Sequence, residues 1–249
     1  MFENCLSMTS IDLSYFNTSG LEWMNHMFYG CSSLKSLNIT NFNTSKTTDM
    51  EHLFNGCILL TSIDLSKFDT QKSRQMHYMF ANCISLVSLD LSNFNTSGVT
   101  RMYNMFSNCS LLISLDLSNF KTPNLLNIHN MFSDCVSLTS LNISNFDTSL
   151  VTNMRCLFSN CSSLSSLDLS NFNTSKLERI FSMFEGCINL EYIDIINFQE
   201  DNLYISFTYS IFDKVPDNIV ICINNNTSII FEEIKKLNRY TIACTSNWK

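Results

Sequence analysis

Glycine and proline are scarce in this chain, five and two among 249 residues. That scarcity excludes a collagen-like or linker-rich polypeptide. Charge is thin too: Asp, Glu, Lys and Arg make up 15%, against roughly 25% in an ordinary soluble domain. The formal net charge is −7 and no Lys/Arg cluster occurs, so the electrostatic footprint of a nucleic-acid binder is missing. No run of eighteen apolar residues exists, and no segment reads as a membrane-spanning helix. The opening "MFENCLSMTS" has neither the basic start nor the apolar centre of a secretory signal. G-x-S-x-G, a phosphate-cradling glycine loop and H-E-x-x-H are all lacking, and these are the motifs that would carry catalysis or a nucleotide. Neither an enzyme nor a cofactor is expected.

What is abundant is repetition. Cys5, Cys31, Cys57, Cys83, Cys109, Cys135, Cys161 and Cys187 follow one another at 26 residues without a slip. Phe2 to Phe184 keeps the same step, and so does a second aromatic ladder from Phe16 to Phe198. A fixed period of this length marks a tandem array whose units cannot bury their apolar faces alone.

One unit shows the expected local structure. "LKSLNIT", from Leu34, alternates Leu37 and Ile39 with Ser36, Asn38 and Thr40, as a short half-buried strand does. After the "NFN" turn, Thr47, Met50, Leu53 and Phe54 step by three, three and one, which fits one face of a helix. Thr18, Thr44, Thr70, Thr96, Thr122, Thr148 and Thr174 stand where an N-cap would, and Pro123 follows one of them. Asn, Gly or Asp precedes every ladder cysteine, a residue set suited to the left-handed stop of a helix. Strand, turn, helix and return around LxxLxL predict an α/β leucine-rich-repeat solenoid. Parallel strands line its concave face and short helices its convex face. Residues 1–198 hold about eight units, the first incomplete. Residues 199–249 form a small C-terminal α/β cap: a strand in "NIVICIN", a helix capped near Thr227, and a strand in "RYTIACT".

The motif "MFxxCxxLxSLDLSNFxTSxVTxM" resembles the repeat of BspA-like leucine-rich-repeat surface proteins across about residues 1–198. The resemblance implies a cell-surface protein used in adhesion or host contact. It is set against the absence of a signal or anchor in this chain, which leaves a cytoplasmic location open.

Each ladder cysteine precedes an inward leucine by three residues, an interior position. A small buried hydrophobe is the plain reading, and disulfides between successive units are the alternative. A linear ladder spreads ligands out instead of converging them, so no metal site is expected. Cys156 replaces His26 and His52 at an outward helical position, and the four histidines (His26, His52, His77, His129) read as solvated surface residues. In the tail, Cys222 and Cys244 could form a disulfide.

The strand's outward face carries a Ser–Asp–Ser carpet. Its candidate binding residues are Asp64, Asp90, Asp116 and Asp168 with Ser88, Ser92, Ser114 and Ser118. Exposed helix positions (Glu22, Trp23, Arg74, His77, Arg101, Tyr103, Arg155, Arg179) vary, so a discriminating contact could use that side instead. A uniform concave face suits a repetitive ligand. The expectation is a non-enzymatic recognition or adhesion module for a protein or glycan, and the alternative is an intracellular protein–protein scaffold. The oligomeric state is left open.

Overall fold

The computed structural model describes residues 1–224 and 228–244. The chain winds as a solenoid of about eight 26-residue turns. Short strands recur on one face: β1 (Ser10–Asp12), β2 (Ser36–Asn38), β3 (Ser114–Asp116), β4 (Ser140–Asn142), β5 (Ser166–Asp168) and β6 (Tyr192–Asp194). All pairs are parallel and in register by the repeat, Ser10 beside Ser36 and Leu115 beside Leu141. Pairing on this face is intermittent: β1–β2, β3–β4, then a four-stranded run from β5 onward.

The opposite limb differs from the expected helix. Met76, Tyr78, Phe80 and Asn82 donate their N–H groups to Arg101, Tyr103, Met105 and Ser107 of the next coil. Met79, Ala81 and Cys83 donate three residues back, to Met76, Tyr78 and Phe80. Alternate amides thus serve the neighbouring coil and a local turn, and none is left for the i→i−4 ladder of a helix. Residues such as Tyr78 (φ 57°) and Asn82 (φ 57°) sit in the left-handed region and stop a helix every four residues. The three-residue steps are turn spacing. A parallel bridge ladder runs unbroken here from Trp23 through Asp49, Gln75, Arg101, Asn127 and Asn153 to Arg179, so the continuous backbone spine lies on this limb.

The threonines are not N-caps either. Thr70 Oγ1 donates to Asn95 O (3.0 Å) and accepts from Asn95 N (2.8 Å), one coil on. Pro123 occupies the second position of the turn closed by Leu125 N to Thr122 O, where its fixed φ fits.

The apolar register stands as the periodicity indicated: Thr47, Met50, Leu53, Phe54 and Cys57 are all fully buried. Between Phe2 and Phe184 consecutive Phe rings stack at 5.6–5.8 Å. These rings are among the largest fully buried side chains of the chain.

The Phe and Cys ladders end by residue 198, yet the winding goes on. Phe184 N donates to Ile211 O and Gly186 N to Asp213 O, and Phe212 stacks on Phe184 at 5.5 Å. Two extra residues make this turn 28 long: β7 (Val220–Cys222) pairs with β6 through Tyr192 beside Val220. Position 198 therefore marks the end of the sequence ladder and not of the coil. A short helix, α1 (Ile229–Ile234), follows with Ser228 as its N-cap; Thr227 lies outside the described residues. Then β8 (Thr241–Ile242) pairs with β7.

Candidate functional site

The strand face is built by a turn that each acidic residue closes. Asp90 Oδ1 accepts from Ser92 N at 2.9 Å, and Asp116 Oδ1 from Ser118 N at 2.9 Å. Asp64 and Asp168 do the same with Ser66 and Ser170. A carboxylate two residues before an N–H is the geometry of an Asx-turn, so the acid ends the strand and bends the chain toward the buried Phe. Hydrogen bonds from Ser92 and Ser118 hold the Asp90 and Asp116 carboxyls below the usual carboxylate range. Those from Ser66 do the same for Asp64. These three carboxylates stay ionised at neutral pH.

Ser88, Asp90, Ser92, Ser114, Asp116 and Ser118 come together around one shallow depression of 390 Å³. Asp64 stands one coil earlier. Asp168 lines a second depression of 480 Å³ with Ser140, Asn142, Ser166 and Tyr192. Tyr192 was missed by sequence reasoning. The available signal was a single aromatic ending a column that otherwise reads Ser from Ser10 to Ser166. It walls the end of the serine column, and burial pushes its phenol up.

The cysteines lie inside. Cys31 to Cys187 are fully buried, while Cys5 and Cys156 are partly exposed. Cys109 Sγ donates to Phe80 O at 3.1 Å and Cys135 Sγ to Phe106 O at 3.1 Å, and the same bond recurs from Cys31 to Cys187. Phe80 O also accepts from Cys83 N, so each carbonyl receives a local amide and the thiol of the next coil. Nine cysteines are free thiols. Burial pushes the Cys83, Cys135 and Cys187 thiols up to about 12, which leaves almost no thiolate. Cys222 and Cys244 form a disulfide, with Cα atoms 4.6 Å apart.

The histidines are more enclosed than expected: His77 is buried, and His26, His52 and His129 are half-buried in aromatic stacks. His26 stacks on His52 at 4.6 Å and His52 on Tyr78 at 4.4 Å. In the neighbouring column His77, Tyr103 and His129 follow at 4.5 and 4.7 Å. His77, expected outward, is 6% exposed and bonds Glu51 Oε2 through Nε2 at 2.8 Å. Burial lowers His52 and His129 to about 4. Among the described residues no three His, Cys, Asp or Glu side chains are placed to hold a metal ion, and no helix is long and apolar enough to cross a membrane.

The 26-residue turn with Met, Phe, Cys and SLDLSNF in fixed places resembles the repeat of the BspA-like leucine-rich type. Solved structures with likeness to the chain include a leucine-rich repeat protein from Bacteroides ovatus, at 20% identity, TM-score 0.41, covering 93% of this chain and 67% of that one. Another is a leucine rich cell surface protein from Faecalibacterium prausnitzii, at 18% identity, TM-score 0.32, covering 98% and 76%. No curated protein matches the sequence. A family model described as "Mycoplasma protein of unknown function, DUF285" matches residues 1–114 and 85–198. Those overlapping stretches take in most of the solenoid, and the chain belongs to that family.

Proposed function

We propose that this chain is a non-enzymatic recognition or adhesion module of a cell-surface leucine-rich-repeat protein, holding a protein or glycan on its Ser–Asp face. One observation carries the reading: ionised carboxylates and serine hydroxyls recur on adjacent coils around open depressions. The coils repeat about every 4.8 Å, so one chemical contact is offered again and again, as a ligand with its own repeat would use it. The residues we assign are Asp64, Asp90, Asp116 and Asp168 with Ser88, Ser92, Ser114 and Ser118.

The test uses an array of linear repeating oligosaccharides and an array of extracellular proteins. The triple variant Asp64→Asn, Asp90→Asn, Asp116→Asn should lose most of the signal given by the parent chain. Undiminished binding would remove the acidic row from the proposal. The intracellular-scaffold reading is favoured by the nine free thiols, and the surface reading by the Cys222–Cys244 bond. Titrating the denatured, unreduced protein purified from its own cell separates them. Nine reactive thiols fit the surface, and eleven fit a reducing compartment.

A further inference from the structure

Eight Asn-x-Ser/Thr triplets occur among the described residues; two more, at Asn225 and Asn226, lie outside them. The triplet is the acceptor signal for N-linked sugar, and in a chain so rich in Asn and Ser it selects nothing by itself. The fold divides the eight by what each amide touches. Asn108 Nδ2 donates to Asn82 Oδ1 at 3.0 Å and Asn160 Nδ2 to Asp134 Oδ1 at 2.8 Å, each one coil back. Asn38 and Asn142 stand on the Ser–Asp face, where their side chains interact with the Asp12 and Asp116 carboxylates of the preceding coil. Asn17, Asn43, Asn95 and Asn173 share another column and are all exposed. Each Oδ1 accepts from the N–H of the serine two residues on, at 3.0–3.1 Å. The Ser45 and Ser97 hydroxyls also donate to Asn43 and Asn95 Oδ1, at 2.7 and 2.6 Å. The four Nδ2 atoms have no hydrogen-bond partner among the described residues.

We propose that Asn17, Asn43, Asn95 and Asn173 carry N-linked oligosaccharides. This rests on the cell-surface reading, because the sugar is added on the export route; the Cys222–Cys244 disulfide fits an oxidising compartment. The donor is an oligosaccharide carried on a lipid pyrophosphate. The amide Nδ2 bonds to its anomeric carbon, and the bond from that carbon to the pyrophosphate oxygen breaks. The lipid pyrophosphate leaves and the amide gives up one proton. At these four positions the sugar takes nothing from the fold. The backbone is held independently, since Asn43 N, Asn95 N and Asn173 N each donate to a threonine hydroxyl of the preceding coil, at 2.7, 2.8 and 2.8 Å. The remaining coils place Asp69, Lys121, Asp147 and Gln199 in this column, all exposed, so the whole edge faces water. At Asn108 or Asn160 a sugar must instead enter a side-chain contact of 3.0 or 2.8 Å. At Asn38 or Asn142 it would crowd an acidic side chain and stand on the ligand face. The favoured column occupies the turn that leaves the strand. Bulky, solubilising sugars on coils one, two, four and seven therefore line one edge of the Ser–Asp face and leave the face open.

The test is peptide mapping of the full chain purified from its own cell. Treatment with peptide-N-glycosidase in oxygen-18 water turns each sugar-bearing Asn into a labelled Asp. Label should appear at Asn17, Asn43, Asn95 and Asn173, and at none of Asn38, Asn108, Asn142 and Asn160. Ser97→Ala, expressed in the same cell, should strip the label from Asn95 alone and leave the circular-dichroism spectrum unchanged. Label at Asn108 or Asn160, or on the strand face at Asn38 or Asn142, overturns the proposal. So does a chain without label. If that chain holds nine reactive thiols, the sugar sites fail and the surface reading stands; if it holds eleven, both fail.

Discussion

Thr122 and Asp147 exchange two hydrogen bonds across neighbouring coils. The Thr122 hydroxyl donates to Asp147 O at 3.0 Å and accepts from Asp147 N at 2.8 Å. Thr122 is 1% exposed, so its side chain lies in the interior between the two coils. Thr122→Val keeps the shape and takes this partner from the part-buried amide and carbonyl of Asp147. It should cost about 1–3 kcal/mol in chemical denaturation, whereas Thr122→Ser, which retains the oxygen, should recover most of that. Equal losses in the two variants would assign the position to packing alone.

Thiol chemistry should divide the cysteines by burial. With the native protein, alkylation followed by mass spectrometry should mark Cys5 and Cys156 and spare Cys57 to Cys135 until unfolding. Burial raises Cys156 as well, so its reaction should quicken as pH rises above neutral. Asn104 and Asn130 hold the same left-handed place as Cys156, at φ 56° against 51°. Cys156→Asn should therefore remove one labelled thiol without loss of stability. Fast modification of Cys83 or Cys109 in the folded chain would contradict the interior placement.

Acid should weaken the fold through the stacked histidines. His52 and His129 titrate near 4 when folded and near 6.5 when unfolded. The unfolded chain binds more protons between those values, so their contribution is whole above pH 6.5 and declines down to about pH 4. For His52, burial leads, followed by the His26 and His77 charges; for His129, burial and then Arg155. Asp49, itself raised by burial, acts in the opposite sense near the lower end. Tyr78 and Tyr103 fill the equivalent columns, so His52→Tyr with His129→Tyr should preserve the stacks and flatten the melting temperature across this window. An unchanged slope would assign the acid sensitivity to other groups.

The acidic row should tolerate amides. Asn38 and Asn142 stand in the same column and accept from Thr40 N and Ser144 N at 3.3 Å. Asp116→Asn should keep the parent melting temperature, and Asp116→Ala, which has no acceptor for Ser118 N, should lower it. A drop with Asn would mean that the charge, and not the turn, holds the strand end.

By itself the sequence determined the period, the interior and the open face. A 26-residue winding brings like residues together whatever the backbone does between them. Volume and polarity then decide that Phe106, Cys109 and Leu112 go inside and Asp116 stays out. Tertiary structure alone decided the conformation of the outer limb, the work of the threonines and the acceptor of each thiol. Their partners lie 25 to 29 residues away on a neighbouring coil, and i, i+3 spacing looks the same whether an amide turns back on its own helix or reaches across. The unpaired backbone of one coil found the next coil closer and better aligned than its own chain, and a turn with a bridge replaced the helix.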